Sequence, residues 1–249
     1  MNESAVDRRA TLGAALDAVR DRVARACRAV GRDPEEVTVV AVTKFFPASD
    51  VRLLAALGIT DMGENRDQEA GPKYAEVRAD TPGITLHFIG QLQSNKARSV
   101  AGYADVVQTL DRPKLARALD RGAAAAGRRL EVLLQVNLDT GGMPPAPHSA
   151  RPEVHRGGVA PAQLRSLAEE VAGCAHLRVR GLMGVAPLDG DPDEAFALLA
   201  TLADGIRGEH PGATWLSAGM SGDLEAAVRH GATHLRVGTA ILGSRPPLR

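Results

Sequence analysis

Residues 37–49 read VTVVAVTKFFPAS, a run of β-branched and small apolar residues that ends at Lys44. A run that is apolar at nearly every position is typical of a parallel strand covered on both faces. Two folds contain such strands, a (β/α)8 barrel and an open doubly wound sheet. The open sheet normally carries a Gly-rich turn after its first strand, and KFFPAS contains no glycine. The stretch therefore favours the barrel.

Seven further short apolar runs follow, and helical segments separate them. Pro161 and Gly173 bound one predicted helix, Asp111 caps another, and Ser221 and Gly231 bound a third. Eight βα units within a chain of about 250 residues match the usual size of a (β/α)8 barrel. The predicted strands are residues 37–43, 59–62, 84–89, 104–110, 130–138, 178–185, 214–217 and 233–237.

An amphipathic helix over about residues 5–30 precedes the first strand, and Gly31 ends it. We expect this helix to cover part of the barrel, so that residues 1–249 form one domain. Its apolar residues recur at spacings of three and four: Leu12, Leu16, Val19, Val23, Cys27 and Val30.

Residues 139–160 form a Pro- and Gly-rich insertion without periodicity. Because it follows the fifth strand, it is predicted to be a long loop on the catalytic face of the barrel. Two interpretations stay open: a disordered surface insertion, or a lid that becomes ordered on binding.

Composition excludes several classes of protein. The chain has 30 basic and 30 acidic residues, which argues against nucleic acid or a membrane surface as a partner. Two cysteines, Cys27 and Cys174, cannot form a disulfide framework, and they are not spaced as metal ligands are. We expect both to be core thiols in a reducing compartment. The start, MNESAVDRRA, has no apolar signal region. We expect a cytoplasmic protein without a metal.

The ends of the predicted strands supply the candidate site, because barrel active sites lie at the carboxyl ends of the strands. Lys44 ends the first strand, and only four of the 30 basic residues are lysines. Partial desolvation lowers the pKa of an amine, and a neutral amine can attack a carbonyl group, which arginine cannot do. An ordinary lysine that reaches solvent is an equal alternative from position alone.

Two loops near the end of the sequence are suited to bind a phosphate. Gly219, Met220 and Ser221 follow the seventh strand, and Gly238 and Thr239 follow the eighth. Backbone N–H groups at a helix start bind anions, and barrels often build phosphate sites after strands seven and eight. A plain N-cap is the alternative for Ser221. A lysine facing such a site predicts a phosphorylated aldehyde, pyridoxal phosphate.

Other polar residues at strand ends are weaker candidates. Glu64 and Asn65 either orient a cofactor or make the turn after the second strand. His87 and Asn95 lie in the segment HFIGQLQSNK, where a lone histidine is expected to be a hydrogen-bonded structural residue.

Six segments, taken together, resemble the YggS/PROSC family of pyridoxal-phosphate homeostasis proteins, which is related to the barrel domain of alanine racemase. The resemblance covers about residues 37–243, and HFIGQLQSNK is its most specific part. The segments are AVTK, GEN with QE shortly after it, HFIGQLQSNK, RGLM, GMS and RVGTAILG.

The resemblance implies a protein that binds pyridoxal phosphate and acts in its intracellular homeostasis, without clear catalytic turnover. Lys44 matches the lysine that holds the cofactor as an internal aldimine, and Arg236 matches an arginine near the pyridine nitrogen. Ser221, Gly238 and Thr239 match phosphate-binding positions. The cofactor-binding residues implied are Lys44, Asn65, Met220, Ser221, Arg236, Gly238 and Thr239.

The same resemblance argues against a racemase. Racemisation needs a base on each face of the substrate, and alanine racemase takes the second, a tyrosine, from a C-terminal β-domain and its partner subunit. Here Tyr74 and Tyr103 lie in a predicted helix and before the fourth strand, and no β-domain is expected after the eighth unit. A racemase-like enzyme and an aldolase that uses Lys44 on a sugar phosphate remain the alternatives.

Three features depart from the family pattern. Gly222 follows Ser221 where an acidic residue is usual, Leu242 replaces a common phenylalanine, and the insertion at 139–160 contains no lysine. We expect a monomer, because the domain that pairs racemase subunits is not expected, with apo-enzymes that use pyridoxal phosphate as possible recipients.

Overall fold

The eight strands of the computed structural model pair in sequence order, all parallel, and β8 closes the sheet against β1. The structure describes residues 3–139 and 157–244, with side chains from residue 7. The predicted (β/α)8 barrel is therefore confirmed. The strands are β1 (Thr38–Val42), β2 (Asp61–Glu64), β3 (Thr85–Phe88), β4 (Val106–Leu110), β5 (Leu130–Gln135), β6 (Leu177–Met183), β7 (Trp215–Ser217) and β8 (His234–Val237).

Helices surround this barrel, and α1 precedes the first strand as predicted. The helices are α1 (Glu3–Ala29), α2 (Ala48–Ala56), α3 (Asp67–Arg78), α4 (Ala97–Tyr103), α5 (Pro113–Ala125), α6 (Leu164–Ala172), α7 (Pro192–Glu209), α8 (Leu224–Arg229) and α9 (Thr239–Leu242).

Most predicted strand boundaries are wrong by one to three residues. One strand boundary and one helix boundary are wrong for clear local reasons. The second strand begins at Asp61 rather than at residue 59, because the N–H of Ile59 donates to the carbonyl of Leu54 and closes the end of α2. Asp111 does not cap α5, since that helix begins at Pro113 with Arg112 as its cap residue. The carboxylate of Asp111 instead pairs with the guanidinium of Arg112.

Alternate residues of β1 and β2 point into the barrel. A Cβ placed on Gly63 would lie 3.3 Å from Val40, 3.5 Å from Val42 and 3.1 Å from Ile89. Gly63, Val40 and Val42 therefore share the interior, because successive side chains of a strand point to opposite faces. Lys44 comes two residues after Val42, which places it on the interior side at the carboxyl end of β1.

The apolar face of α1 packs against the barrel as its spacing predicts. Leu12, Leu16, Val19 and Cys27 are almost completely buried and belong to the main core. Val30 was expected on the same face, but it is 39% exposed. The helix ends at Ala29, so Val30 no longer follows the helical periodicity.

Residues 140–156 of the Pro- and Gly-rich insertion lie outside the described residues. The end of the insertion returns to the barrel, where Val159 forms a parallel bridge with Val136 and the side chain of Gln135 donates to the carbonyl of Gly157 at 2.9 Å. The insertion thus starts and ends at the exit of β5. The choice between a disordered insertion and a lid stays a prediction.

Other sequence expectations concern thiols, metals and membranes. Cys27 is buried, whereas Cys174 is only partly buried, so the prediction of two core thiols is wrong for Cys174. Across residues 3–139 and 157–244, we find no group of three His, Cys, Asp or Glu side chains arranged to hold a metal ion. No helix in these ranges is long and apolar enough to cross a bilayer.

Candidate functional site

Lys44 lies where β1 gives way to the loop before α2, and its side chain is half-buried. The residue after it, Phe45, has φ = +71°, which turns the chain sharply at this point. The ammonium of Lys44 lies 5.9 Å from the centre of the Phe45 ring. Among the described residues it has no hydrogen bond or ion pair, so its amine is available to a ligand at the barrel mouth.

A buried polar cluster lies directly behind Lys44. The ammonium of Lys73 donates to the carbonyl of Thr43 at 3.1 Å and to Glu64 Oε1 at 2.7 Å. The Thr43 hydroxyl donates to the same carboxylate oxygen at 2.7 Å and lies 3.1 Å from the Tyr74 hydroxyl. This cluster fixes the backbone of Thr43 and so the starting point of the Lys44 side chain.

Burial controls the ionisation of this cluster. Glu64 is completely buried, and burial raises the pKa of its carboxyl group although the charge of Lys73 acts in the opposite direction. Burial likewise raises the pKa of the Tyr74 hydroxyl. Tyr74 is thus held as a neutral phenol behind the strand rather than as a base at the barrel mouth.

The two loops predicted to bind a phosphate lie against each other. The N–H of Ala240 donates to the hydroxyl of Ser221 at 3.3 Å, and the N–H of Arg236 donates to the carbonyl of Gly219 at 3.0 Å. A Cβ placed on Gly238 would lie 3.4 Å from Val42. The loops after β7 and β8 therefore meet next to the end of β1.

Ser221 does not cap α8, and that part of the prediction is wrong. The helix begins at Leu224 with Asp223 as its cap residue, and the side chain of Asp223 accepts from the N–H of Met220 at 2.6 Å. Residues 221–223 form a turn, which leaves the Ser221 hydroxyl beside the start of α9. A hydroxyl next to the unpaired N–H groups of a helix start is a suitable anion site.

Arg236 is fully enclosed in the barrel interior, with 4% of its surface exposed. Its Nη1 donates to the hydroxyl of Ser217 at 2.7 Å, and its Nη2 donates to the carbonyl of Gly184 at 2.8 Å. Burial lowers the pKa of the guanidinium to about 10, with the charge of Asp223 opposing it. The group stays charged at neutral pH and supplies N–H donors, not an acceptor.

Asn65 follows β2, and its Oδ1 atom is buried with no hydrogen-bond partner in the described part of the chain. A Cβ on Gly90 would lie only 2.2 Å from the Asn65 carbonyl, so glycine is required where the two loops touch. A cleft of about 520 Å³ opens beside Asn65, lined by Arg66, Asp67, Gln68, Phe88, Gln91, Leu92, Gln93, Lys96 and Arg112.

The structure places six of the seven predicted site residues at or next to the carboxyl ends of neighbouring strands. Lys44 follows β1, Gly238 lies beside Val42 of β1, and Arg236 pairs with Val40 across β8 and β1. Asn65 directly follows β2, which pairs with β1, and Ser221 contacts α9, which begins at Thr239. Met220 is 39% exposed, and no contact among the described residues turns its side chain towards the others.

Sequence reasoning missed two residues of this site. Lys73 lies on α3 with no motif around it, and no spacing rule connects it to Glu64. Ser217 was noted only as the end of β7, although a serine in an otherwise apolar strand is a signal of an interior hydrogen bond. His87 was expected to be hydrogen-bonded, and it contacts both Asp61 and Gln108.

The sequence and the fold match known proteins. Residues 15–246 match the family described as alanine racemase, N-terminal domain. The chain belongs to this family.

Curated relatives in the alanine racemase N-terminal domain family align over nearly the whole chain. A protein of Mycobacterium tuberculosis named "Pyridoxal phosphate homeostasis protein" is 42% identical over 256 residues, which cover 96% of this chain and 95% of the relative. A protein of the same name from Escherichia coli K12 is 36% identical over 234 residues and covers 92% of this chain and 95% of the relative.

Solved structures of the family show the same barrel. PipY of Synechococcus elongatus, with pyridoxal phosphate bound, is 34% identical, has a TM-score of 0.76, and covers 93% of this chain and 100% of PipY. Alanine racemase of Corynebacterium glutamicum has a TM-score of 0.64 at 14% identity, and covers 91% of this chain and 60% of the racemase. The likeness to the racemase shows the shared fold alone.

Proposed function

We propose that this protein binds pyridoxal phosphate at the barrel mouth through Lys44 and acts in the homeostasis of that cofactor. One observation carries the proposal: the amine of Lys44, which has no hydrogen bond or ion pair within residues 3–139 and 157–244, follows β1 near two adjoining loops suited to a phosphate. The relatives named as pyridoxal phosphate homeostasis proteins and the PipY structure support the same ligand.

The residues present fit this cofactor. Its aldehyde condenses with a lysine amine when it binds, and its phosphate carries two negative charges that backbone N–H groups can bind. We assign the amine to Lys44, and the phosphate to the Ser221 hydroxyl together with the Gly238–Thr239 backbone. The buried Oδ1 atom of Asn65 has no donor in the part of the chain that the structure describes, and we place Asn65 beside the cofactor with Met220 on the solvent side.

Arg236 determines what kind of chemistry this site favours. A charged, enclosed guanidinium can donate a hydrogen bond to a ring nitrogen, but it has no acceptor for the proton of a protonated ring nitrogen. A ring nitrogen bound in this way would stay unprotonated, and the cofactor would be a weaker electron sink. We therefore propose a carrier that holds and releases the cofactor rather than an enzyme.

The positions of the tyrosines support the same conclusion. The Tyr74 hydroxyl is buried behind β1 against Thr43, and the Tyr103 hydroxyl donates to Asp67 at 3.1 Å. Neither phenol is placed to remove a proton at the mouth of the barrel. A racemase-like activity remains the second candidate because the fold is shared with alanine racemase.

The deciding experiment is an absorbance spectrum with added pyridoxal phosphate, followed by borohydride reduction and peptide mapping. We expect a visible band that reduction removes and a labelled peptide that contains Lys44. Lys44→Ala should abolish both, whereas Lys114→Ala, which changes an exposed lysine on α5, should abolish neither. A label on another lysine, or no band in the unmodified protein, would contradict the proposal.

A second measurement separates the carrier from the enzyme. The loaded protein should not interconvert L- and D-alanine faster than free pyridoxal phosphate does, and it should pass its cofactor to an apo-enzyme. Turnover that Lys44→Ala removes would favour the racemase-like alternative. We further propose that the protein works as a cytoplasmic monomer. Light scattering of the purified protein measures its mass in solution and so tests the oligomeric state.

A further inference from the structure

Five polar side chains form a continuous chain of hydrogen bonds through the barrel interior. Arg236 Nη1 donates to Ser217 Oγ at 2.7 Å, and that hydroxyl donates to Gln108 Oε1 at 2.7 Å. Gln108 Nε2 lies 2.9 Å from His87 Nδ1, and His87 Nε2 lies 2.9 Å from Asp61 Oδ1. The chain joins β8, β7, β4, β3 and β2, and runs from Arg236 to the opposite end of the barrel.

The side-chain atoms give these bonds a direction. A guanidinium has only donors, so Ser217 accepts from Arg236, and the Ser217 hydroxyl donates to Gln108 Oε1. The Gln108 Nε2–H then donates to His87 Nδ1, and His87 donates from Nε2 to the carboxylate of Asp61.

Burial and charge support this arrangement. The side chains of His87, Gln108 and Ser217 are completely buried, and each has a partner on both sides. Burial raises the pKa of Asp61, but the hydrogen bonds from His87 and Thr60 act in the opposite direction, and the net direction is downward. The other groups that face His87 are the rings of His234, at 6.0 Å, and Trp215, at 6.4 Å.

The chain fixes one side of the Arg236 guanidinium, and the carbonyl of Gly184 fixes the other. Ser217 and Gly184 are both buried, and a buried polar group left without a partner costs more than a normal hydrogen bond contributes. These two partners therefore hold Arg236 in its observed orientation.

We propose that Asp61, His87, Gln108 and Ser217 are positioning residues, which hold the Arg236 guanidinium in the orientation that meets the cofactor ring. The inference rests on the proposed function for the placement of the ring beside Arg236. The direction of the chain is a property of the protein alone, and the two are tested separately.

The first test measures the direction of the chain in the cofactor-free protein. Nitrogen NMR of histidine-labelled protein, assigned by comparison with His87→Gln, reports which ring nitrogens of His87 carry a proton. We expect a proton on Nε2 and none on Nδ1. Gln108→Glu replaces the amide donor by an acceptor, so Nδ1 of His87 should then carry a proton as well. A proton on Nδ1 in the unmodified protein, or an unchanged His87 in Gln108→Glu, overturns the proposal.

The second test measures the effect on the cofactor. Gln108→Leu keeps the volume but removes both bonds, so we expect the dissociation constant for pyridoxal phosphate to rise about ten-fold or more. Gln108→Glu still accepts from Ser217, so its dissociation constant for pyridoxal phosphate should lie within about three-fold of that of the unmodified protein. If Gln108→Leu does not fold, Ser217→Ala interrupts the same chain of hydrogen bonds.

Thr233→Val is the matched control, because it removes partly buried hydrogen bonds that lie outside the chain, one from the Leu216 N–H and one with His234 Nδ1, both 2.8 Å long. It should leave the dissociation constant unchanged within about two-fold. Equal affinity in Gln108→Leu and Thr233→Val overturns the positioning role. If the unmodified protein binds no pyridoxal phosphate, the proposed function fails, while the His87 measurement still decides the direction of the chain.

Discussion

Gly219 is a single residue on which the loop after β7 depends. Its φ is +87°, and a Cβ at this position would lie 2.6 Å from the Cβ of Ala227 and 3.0 Å from Leu235. Both the backbone conformation and the contact with α8 therefore require glycine. The carbonyl of Gly219 also accepts from the N–H of Arg236, so this turn sets the distance between the loops after β7 and β8 that are predicted to bind a phosphate.

Gly219→Ala should lower the free energy of unfolding by roughly 2–4 kcal/mol, because the new methyl group meets backbone strain and a close contact together. Gly222→Ala is the matched control, since a Cβ there meets no atom within 4 Å and φ is not positive. It should change stability by less than about 1 kcal/mol. Urea unfolding of both variants measures the difference, and equal losses would contradict the argument.

The buried ion pair between Lys73 and Glu64 leads to a second prediction at the residue scale. Lys73→Met leaves the buried carboxylate without its cation, and should cost about 3 kcal/mol of unfolding free energy at neutral pH. Because burial raises the pKa of Glu64, protonation at low pH relieves this cost, so the loss should be smaller at pH 5 than at pH 8.

The double variant Lys73→Met/Glu64→Gln is the control for that measurement. Because it leaves no charge to bury, it should be more stable than Lys73→Met alone. Its loss of unfolding free energy should be the same at pH 5 and at pH 8. A loss in Lys73→Met that does not depend on pH would show that packing, rather than charge, holds this cluster together.

At the scale of elements, α1 supports the loops that carry the site. Arg22 on α1 forms a two-point ion pair with Glu225 of α8, at 2.8 and 2.9 Å, and donates to the carbonyl of Ser221 at 3.0 Å. Arg32, just after α1, donates to two carbonyl groups near the end of α8. The extra helix thus holds the βα unit that contains Ser221 as well as covering apolar surface.

Arg22→Ala should therefore weaken binding at a site that Arg22 does not touch. We expect the dissociation constant for pyridoxal phosphate to rise about three-fold, and stability to fall by about 1 kcal/mol because the pair is partly exposed. Arg20→Ala removes a similar bond from the same helix to the carbonyl of Leu57, away from the site. It should leave the affinity unchanged, and the two variants are compared by titration with the cofactor.

At the scale of the whole molecule, the barrel interior is unusual in holding buried polar groups at both ends. His234 on β8 stacks on Trp215 with ring centres 4.3 Å apart and is 5% exposed. Burial lowers its pKa to about 3, and the positive charges of Arg180 and Arg236 act in the same direction while Asp61 opposes them. The folded barrel therefore keeps this histidine neutral.

This predicts loss of stability in mild acid. Between pH 6.5, the ordinary pKa of histidine, and about 3, the unfolded chain binds a proton at His234 that the folded protein does not bind. Stability at pH 5 should consequently be about 2 kcal/mol lower than at pH 7.5 on account of this residue. His234→Gln should reduce the pH dependence of thermal unfolding by that amount, and an unchanged dependence would contradict the assignment.

The sequence by itself determined the eight-stranded barrel and the N-terminal helix, and it singled out most residues of the candidate site. Apolar runs and amphipathic periodicity report the burial of each element, and this burial is a property of neighbouring residues along the chain. Lys44, Ser221, Gly238 and Thr239 were found because barrel sites lie at strand ends, a rule that converts position in the sequence into position in space.

Only the tertiary structure decided how side chains from different strands pair. Lys73 reaches Glu64 from α3, Ser221 faces the start of α9 instead of capping α8, and Arg236 connects to Asp61 through three strands between them. The boundary of β2 also depended on a contact with α2. These partners are distant along the chain, and hydrogen bonds depend on distance and direction in space, for which a sequence pattern contains no signal.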